Sequence, residues 1–339
     1  MSDDVVLQTV RLGLHWPTID PFLFCAHHDD RYPAGNEQMG PNASLEGRTL
    51  GMDFDGLDGW RMYHGSVVPG FPQHPHRGFE TITYVREGTC DHSDSLGASA
   101  RFGGGDVQWL TAGAGIVHSE MMPLRDRVNP NPLELFQIWL NLPAADKMAD
   151  PYFTMFWSDL IPKVRTTDEK GRVTEVVVIA GSFGGSSPLT PPPDSWASKP
   201  DADVAVWHLH LDPGTSIELP ATSSADTVRT LYVFDGDGVE IASTHLECNT
   251  GSVVRSTETV TLRSERGADC LVLQGRPIGE PVAQQGPFVM NDEAGLRQTF
   301  LDYQRTGFGG WPWPVDGPVH AADRQRFAVH PDGRVEEPN

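Results

Sequence analysis

Cysteine is scarce: Cys25, Cys90, Cys248 and Cys270 are the only four among 339 residues, scattered and without a Cys-x-x-Cys pair. That excludes a disulfide framework and a cysteine zinc site, and the thiols read as reduced and inert. Long apolar runs are missing as well. None approaches the roughly 18 residues that cross a bilayer, and the start, MSDDVVLQTVRLGLHW, is acidic where a secretory signal would be basic and then apolar. A soluble, cytoplasmic protein is the expectation. Positive charge is also short, with 25 Lys and Arg against 46 Asp and Glu and a formal charge of −21. Polyanion binding needs a basic patch, and clusters such as Arg324 with Arg326 are too small, so neither nucleic acid nor an anionic membrane is an expected partner.

Helical periodicity is confined to one stretch. Asn291 can cap an acidic first turn, Asp292-Glu293, Leu296, Phe300 and Tyr303 follow at i, i+4 and i+7, and Gly307 stops the run. Glycine and proline, in contrast, are plentiful, at 35 and 28, and they bound short runs rich in Val, Ile, Thr, Tyr and Trp. This is the punctuation of an all-β chain, with strands expected over 81–85, 107–111, 133–142, 173–179, 204–211, 230–234, 259–263 and 270–274. The length suits about two domains. The run SFGGSSPLTPPPDSWASKP, 182–200, is the linker candidate, giving units 1–181 and 201–339. Tyr84-Val85-x-x-Gly88 recurs as Tyr232-Val233-x-x-Gly236, and Gly105-x-Val107 as Gly251-x-Val253, a weak repeat consistent with two copies of one β unit.

Of 13 histidines, three stand in a suggestive order. His74-Pro75-His76 precedes the strand that opens near Glu80, and His118-Ser119-Glu120 follows WLTAGAGIV. In extended backbone, i and i+2 side chains share a face. Two such pairs on neighbouring strands would bring three imidazoles and a carboxylate to one divalent cation, a donor set suited to Fe(II), Mn, Ni, Cu or Zn that leaves positions open for water or substrate. His208-Leu209-His210 reads instead as the polar face of a strand, and His27-His28-Asp29-Asp30 as a solvated loop cluster. His92-Ser93-Asp94 holds triad residue types but no Gly-x-Ser-x-Gly elbow. Gly103-Gly104-Gly105-Asp106 lacks the Lys and the helix of a phosphate loop, so it reads as a turn.

FPQHPHRGFETITYVREG followed by SLGASARFGGGDVQWLTAGAGIVHSE closely resembles the pirin family of the cupin superfamily. GRPIGEPVAQQGPFVMND and the helix after it resemble the family's C-terminal signature, and Asp20 to Phe24 (DPFLF) its opening. The likeness runs from about Pro17 to Gly310 and is thin from Gly184 to Val253. It implies a bicupin: two antiparallel β-barrels of the jelly-roll type, the first holding one metal, usually iron, and the second followed by a short C-terminal helix. The family's ligands fall on His74, His76, His118 and Glu120. The general cupin ligand Glu80 becomes a second choice, better read as supporting or structural. Moved along by the repeat offsets of 148 and 146, the four ligands land on Thr222, Ser224, Ser264 and Arg266, which make no metal site.

The activity associated with such proteins is oxidative cleavage of a flavonol such as quercetin by O₂. Glu120 would be both ligand and base, with Gln108 and Gln137 as supporting donors. The alternative is a metal- or redox-sensing regulator acting through a protein partner. The chain departs from the family over Ala26 to Gly59, a polar, Gly-rich stretch expected to form a long loop over the rim of the first barrel.

Overall fold

The structure is a computed structural model and describes residues 5–338. Its β-branched and aromatic runs all become antiparallel strands, broken by glycines in the left-handed region. Gly88, at φ 85°, turns the chain between strands β3 and β4, defined below, and a Cβ there would meet the Pro132 carbonyl oxygen at 2.8 Å.

The chain divides into two compact units, each described by itself. One comprises residues 27–137, 144–158 and 280–338, and the other 5–26, 138–143 and 159–279. The division is interleaved, whereas the sequence suggested contiguous halves, because the chain passes from one unit to the other inside two long strands, β1 (Phe22–Tyr32) and β8 (Asn131–Asn141). In the first unit the strands are β2 (Gly70–His76), β3 (Phe79–Glu87), β4 (Thr89–Asp94), β5 (Ser99–Gly103), β6 (Asp106–Thr111), β7 (Ile116–Met121) and β9 (Tyr152–Phe156). One sheet runs β9-β6-β3-β8-β1 and the facing one β5-β4-β7-β2. Phe102, Leu110, Ile116, Met122, Leu135 and Phe153 fill the space between them.

The second unit repeats the theme with β10 (Val173–Ala180), β11 (Ala205–Leu211), β12 (Val228–Gly236), β13 (Thr250–Val254), β14 (Val260–Ser264) and β15 (Ala268–Gly275). Its own core gathers Val176, Trp207, Leu231, Val233, Leu262 and Cys270. The recurring motifs lie on strands that pair alike, β3 with β6 in one unit and β12 with β13 in the other. The Gly, Ser and Pro run at 182–200 joins β10 to β11, which are neighbours in one sheet, so it is a connection within a unit and not a linker between two.

Helix α1 (Glu293–Thr306) ends at Gly307 as expected, but its cap is Asp292, whose carboxylate accepts from the Gly295 N–H; Asn291 donates to Glu280 instead. Leu296 packs with Val117 of β7, Phe288 and Phe308. The helix and the tail after it therefore belong with the first barrel, not the second. In the tail, β16 (Phe327–Val329) pairs with β5 and widens the sheet that carries β2 and β7. The stretch expected as a rim loop begins instead as strand, since β1 continues to Tyr32. The loop beyond it is pinned by Arg48, which donates to Asp53 at 2.8 Å and lies 3.2 Å from the Trp60 ring centre.

Candidate metal centre

Strands β2 and β7 run antiparallel with His74 opposite His118 and His76 opposite Ile116, so the period of two turns all three imidazoles to one side of the sheet. One ligand nitrogen from each lies within 4.8 Å of the others. No other group of three or more His, Cys, Asp or Glu side chains gathers in this way among the described residues. His74 Nδ1–H donates to the Pro72 carbonyl at 2.9 Å and His76 Nδ1–H to that of Pro287 at 3.4 Å, which fixes their ring orientations. Burial holds the His74 ring down to about 4 and pushes His76 and His118 well below the usual histidine value, with neighbouring imidazoles adding to it. All three are neutral at neutral pH, the state a metal requires. Neither nitrogen of His118, fully buried, reaches a hydrogen-bond partner. A divalent cation fits this donor set.

Glu120 stands apart from the nitrogen cluster, its Oε2 4.0 Å from His118 Nε2. Thr83 donates to Oε1 at 2.9 Å and Gln137 Nε2 to Oε2 at 3.2 Å. Burial raises its carboxyl, against these two hydrogen bonds. Gln137 was legible as a supporting donor; Thr83 was not singled out, and its only local signal is its place on the inward face of β3. Glu80 lies on the other face of that strand, opposite Thr111, whose hydroxyl donates to it at 2.7 Å. His92 is the fourth imidazole here, its ring 5.5 Å from that of His118 and its Nε2 3.2 Å from Asp94 Oδ2.

The positions that the repeat makes equivalent are engaged elsewhere. Thr222 donates to the carbonyls of Ser224 and Ser256, Ser264 to that of Gly238, and Arg266 pairs with Asp237. His208 and His210 bond the two oxygens of Asp269, at 2.7 and 3.0 Å, as a strand's polar face would. The cluster from His27 to Asp30 is not a solvated loop: it lies on β1, with His27 on Glu134 and Asp30 accepting from Tyr63 at 2.5 Å and Arg61 at 3.0 Å. Burial pushes Asp30 up to about 6. The loop reaches the metal strand through Phe71, which packs against Phe54, Tyr63 and His64 and lies 6.4 Å from His74. Beside β2, loop and tail enclose a groove of about 690 Å³ lined by Gln38, His64, Val68, Pro72, Met121 and Asp316 among others.

Residues 6–140 match the pirin family and residues 206–309 the pirin C-terminal cupin domain. A pirin-like protein of Caulobacter vibrioides is 39% identical over 246 residues, covering 70% of this chain and 80% of that protein. Pirin-1 of Arabidopsis thaliana is 37% identical over 254 residues, covering 72% and 80%. Among solved structures, a quercetin 2,3-dioxygenase from Acinetobacter baumannii superimposes with a TM-score of 0.70 at 25% identity, over 90% of this chain and 98% of that one.

Proposed function

This chain belongs to the pirin family of cupin proteins, and on that premise we propose that it is a metal-dependent dioxygenase that cleaves a flavonol such as quercetin with O₂, releasing carbon monoxide. The observation that carries the reading is the convergence of three neutral imidazoles, two buried and that of His74 half-buried, beside a carboxylate with raised proton affinity. His74, His76 and His118 would hold the cation, with Glu120 as fourth ligand, and iron is the metal the family resemblance favours over Zn, Ni, Mn or Cu. Bound there, the cation would supply Lewis acidity toward the flavonol's 3-hydroxyl group and redox capacity toward O₂.

The chain's own residues do the rest. The three imidazoles leave the site cationic once it is loaded, which favours a deprotonated substrate oxygen. Glu120, made more basic by burial, takes the 3-hydroxyl proton at Oε2, while Thr83 and Gln137 hold the carboxylate in place. Fully buried walls, including Phe79, Val85 and Leu110, keep bulk water from the reacting atoms.

The test is oxygen uptake by protein loaded anaerobically with Fe(II) and offered a panel of flavonols. Uptake with release of carbon monoxide is expected. Iron-loaded protein that consumes no O₂ with any flavonol overturns the assignment. In the same assay Glu120→Gln is expected to keep the metal and lose turnover by about 100-fold or more, the usual range for a general base.

A further inference from the structure

The two sheets of the metal barrel face each other in layers. In one layer β3 contributes Thr83 and β7 contributes Glu120, joined across the barrel at 2.9 Å. One strand over on each side stand Gln108, opposite Thr83 on β6, and His92, opposite Glu120 on β4. Residues directly opposite in a ladder share a face, so both point into the barrel. They lie on the same flank of it: His92 packs on Phe153 of β9 at 5.6 Å, and β9 also pairs with Gln108 through Met155.

Gln108 and one nitrogen of His92 are left without hydrogen-bond partners. Gln108 is 1% exposed with neither amide atom hydrogen-bonded, and His92 is fully buried with Nδ1 free of any partner. His118, 5.5 Å from His92, has two unpartnered nitrogens, of which a cation satisfies one. Native proteins do not leave three such groups together unsatisfied, and a buried water with two to four polar partners is the usual remedy. The donor count matches. With Nε2 turned to the Asp94 carboxylate as donor, Nδ1 is the nitrogen of His92 left to accept. A metal-bound neutral His118 presents an N–H donor on its other nitrogen, and the Gln108 amide offers either role.

We infer that Gln108 and His92 hold one buried water molecule on the inner side of His118, which accepts from the His118 N–H, donates to His92 Nδ1 and is anchored by the Gln108 amide. Gln108 and His92 are then positioning residues for the third metal ligand, acting through that water. Metal ligands lacking such outer support lose about 10–100-fold in affinity.

The inference rests on the three-imidazole centre, and the experiment separates the two. Full-length protein is titrated with Co(II) against a chelator, and the visible spectrum of the cobalt protein is recorded for wild type, Gln108→Met, His92→Phe, the double variant and His118→Ala. Expected are a loss of about 10–100-fold for each of the first two with an altered spectrum, and a double variant no worse than the weaker single, because both remove the same water. Wild-type affinity and spectrum in Gln108→Met, or strictly additive losses in the double variant, overturn it. Should Gln108→Met fail to fold by circular dichroism, His92→Phe alone decides by the same affinity and spectrum. If His118→Ala binds cobalt like wild type, the metal centre itself falls; if it does not bind while Gln108→Met and His92→Phe are unchanged, only the water is wrong.

Discussion

Desolvation keeps His76 and His118, both buried, and the half-buried His74 neutral, and that neutrality shifts their competition with protons. A ligand nitrogen must be free of its proton to bind, so a lowered pKa moves metal release to lower pH. Since His74 sits near 4 and the other two well below the usual 6.5, metal should stay bound from pH 7 down to about 5 and be released only on approach to 4. Equilibrium dialysis with Ni(II) across a pH series checks this; release centred near 6.5 would show ordinary, solvated histidines. The i, i+2 rule exposed these ligands in the sequence because it is local. Thr83 and His92 escaped it, since what qualifies them is the strand opposite, Glu120 across the barrel for one and beside it for the other, and no local pattern carries such a register.

Elements were legible where apolar runs were long, and less so where a short segment relies on others. All eight expected strands formed, within a residue or two at most ends. The helix boundary slipped by one because Asn291 and Asp292 are both competent caps; Asp292→Ala should cost about 1 kcal/mol by thermal unfolding, and Asn291→Ala less. The tail was misassigned because β16 is three residues long and gains its place from partners far away in sequence. Arg101, fully buried, binds both oxygens of Asp91 and the carbonyls of His320, Ala321 and Arg324. Asp316 accepts from the Gln73 side chain at 2.7 Å, next to His74. Arg101→Met strands the Asp91 charge and should destabilise the protein by about 3–5 kcal/mol in urea unfolding, with the tail cut first in limited proteolysis. Asp316→Ala should leave stability near wild type.

At the scale of the whole molecule, two β units account for the length, and one cluster of three imidazoles is found among the described residues. The strands of the second unit reproduce the pairing of the first, but the repeat offsets do not carry the ligand register over: Ser264 pairs with Thr215 and not with Thr222, and Thr222, Ser224 and Arg266 lie outside the strands, in hydrogen bonds or an ion pair of their own. One equivalent of metal per chain is expected by elemental analysis, because the described residues hold one cluster of this kind, and two would contradict that reading. The contiguous division at 182–200 did not survive because a Gly, Ser and Pro run signals a loop without saying whether its two ends return to one sheet. Among the described residues no helix is long and apolar enough to cross a membrane.

The tail's place in the sheet of β2 and β7 also sets an order of events during translation. His74, His76 and His118 leave the ribosome early, but residues 311–338, which cover Asp91 and Arg101 and add β16 to the ligand-bearing sheet, follow only after residues 159–279 of the other unit have been made. The barrel whose ligands are translated first is thus the one completed last. A nascent chain paused before Phe327 carries His74, His76 and His118 in a sheet that still lacks β16.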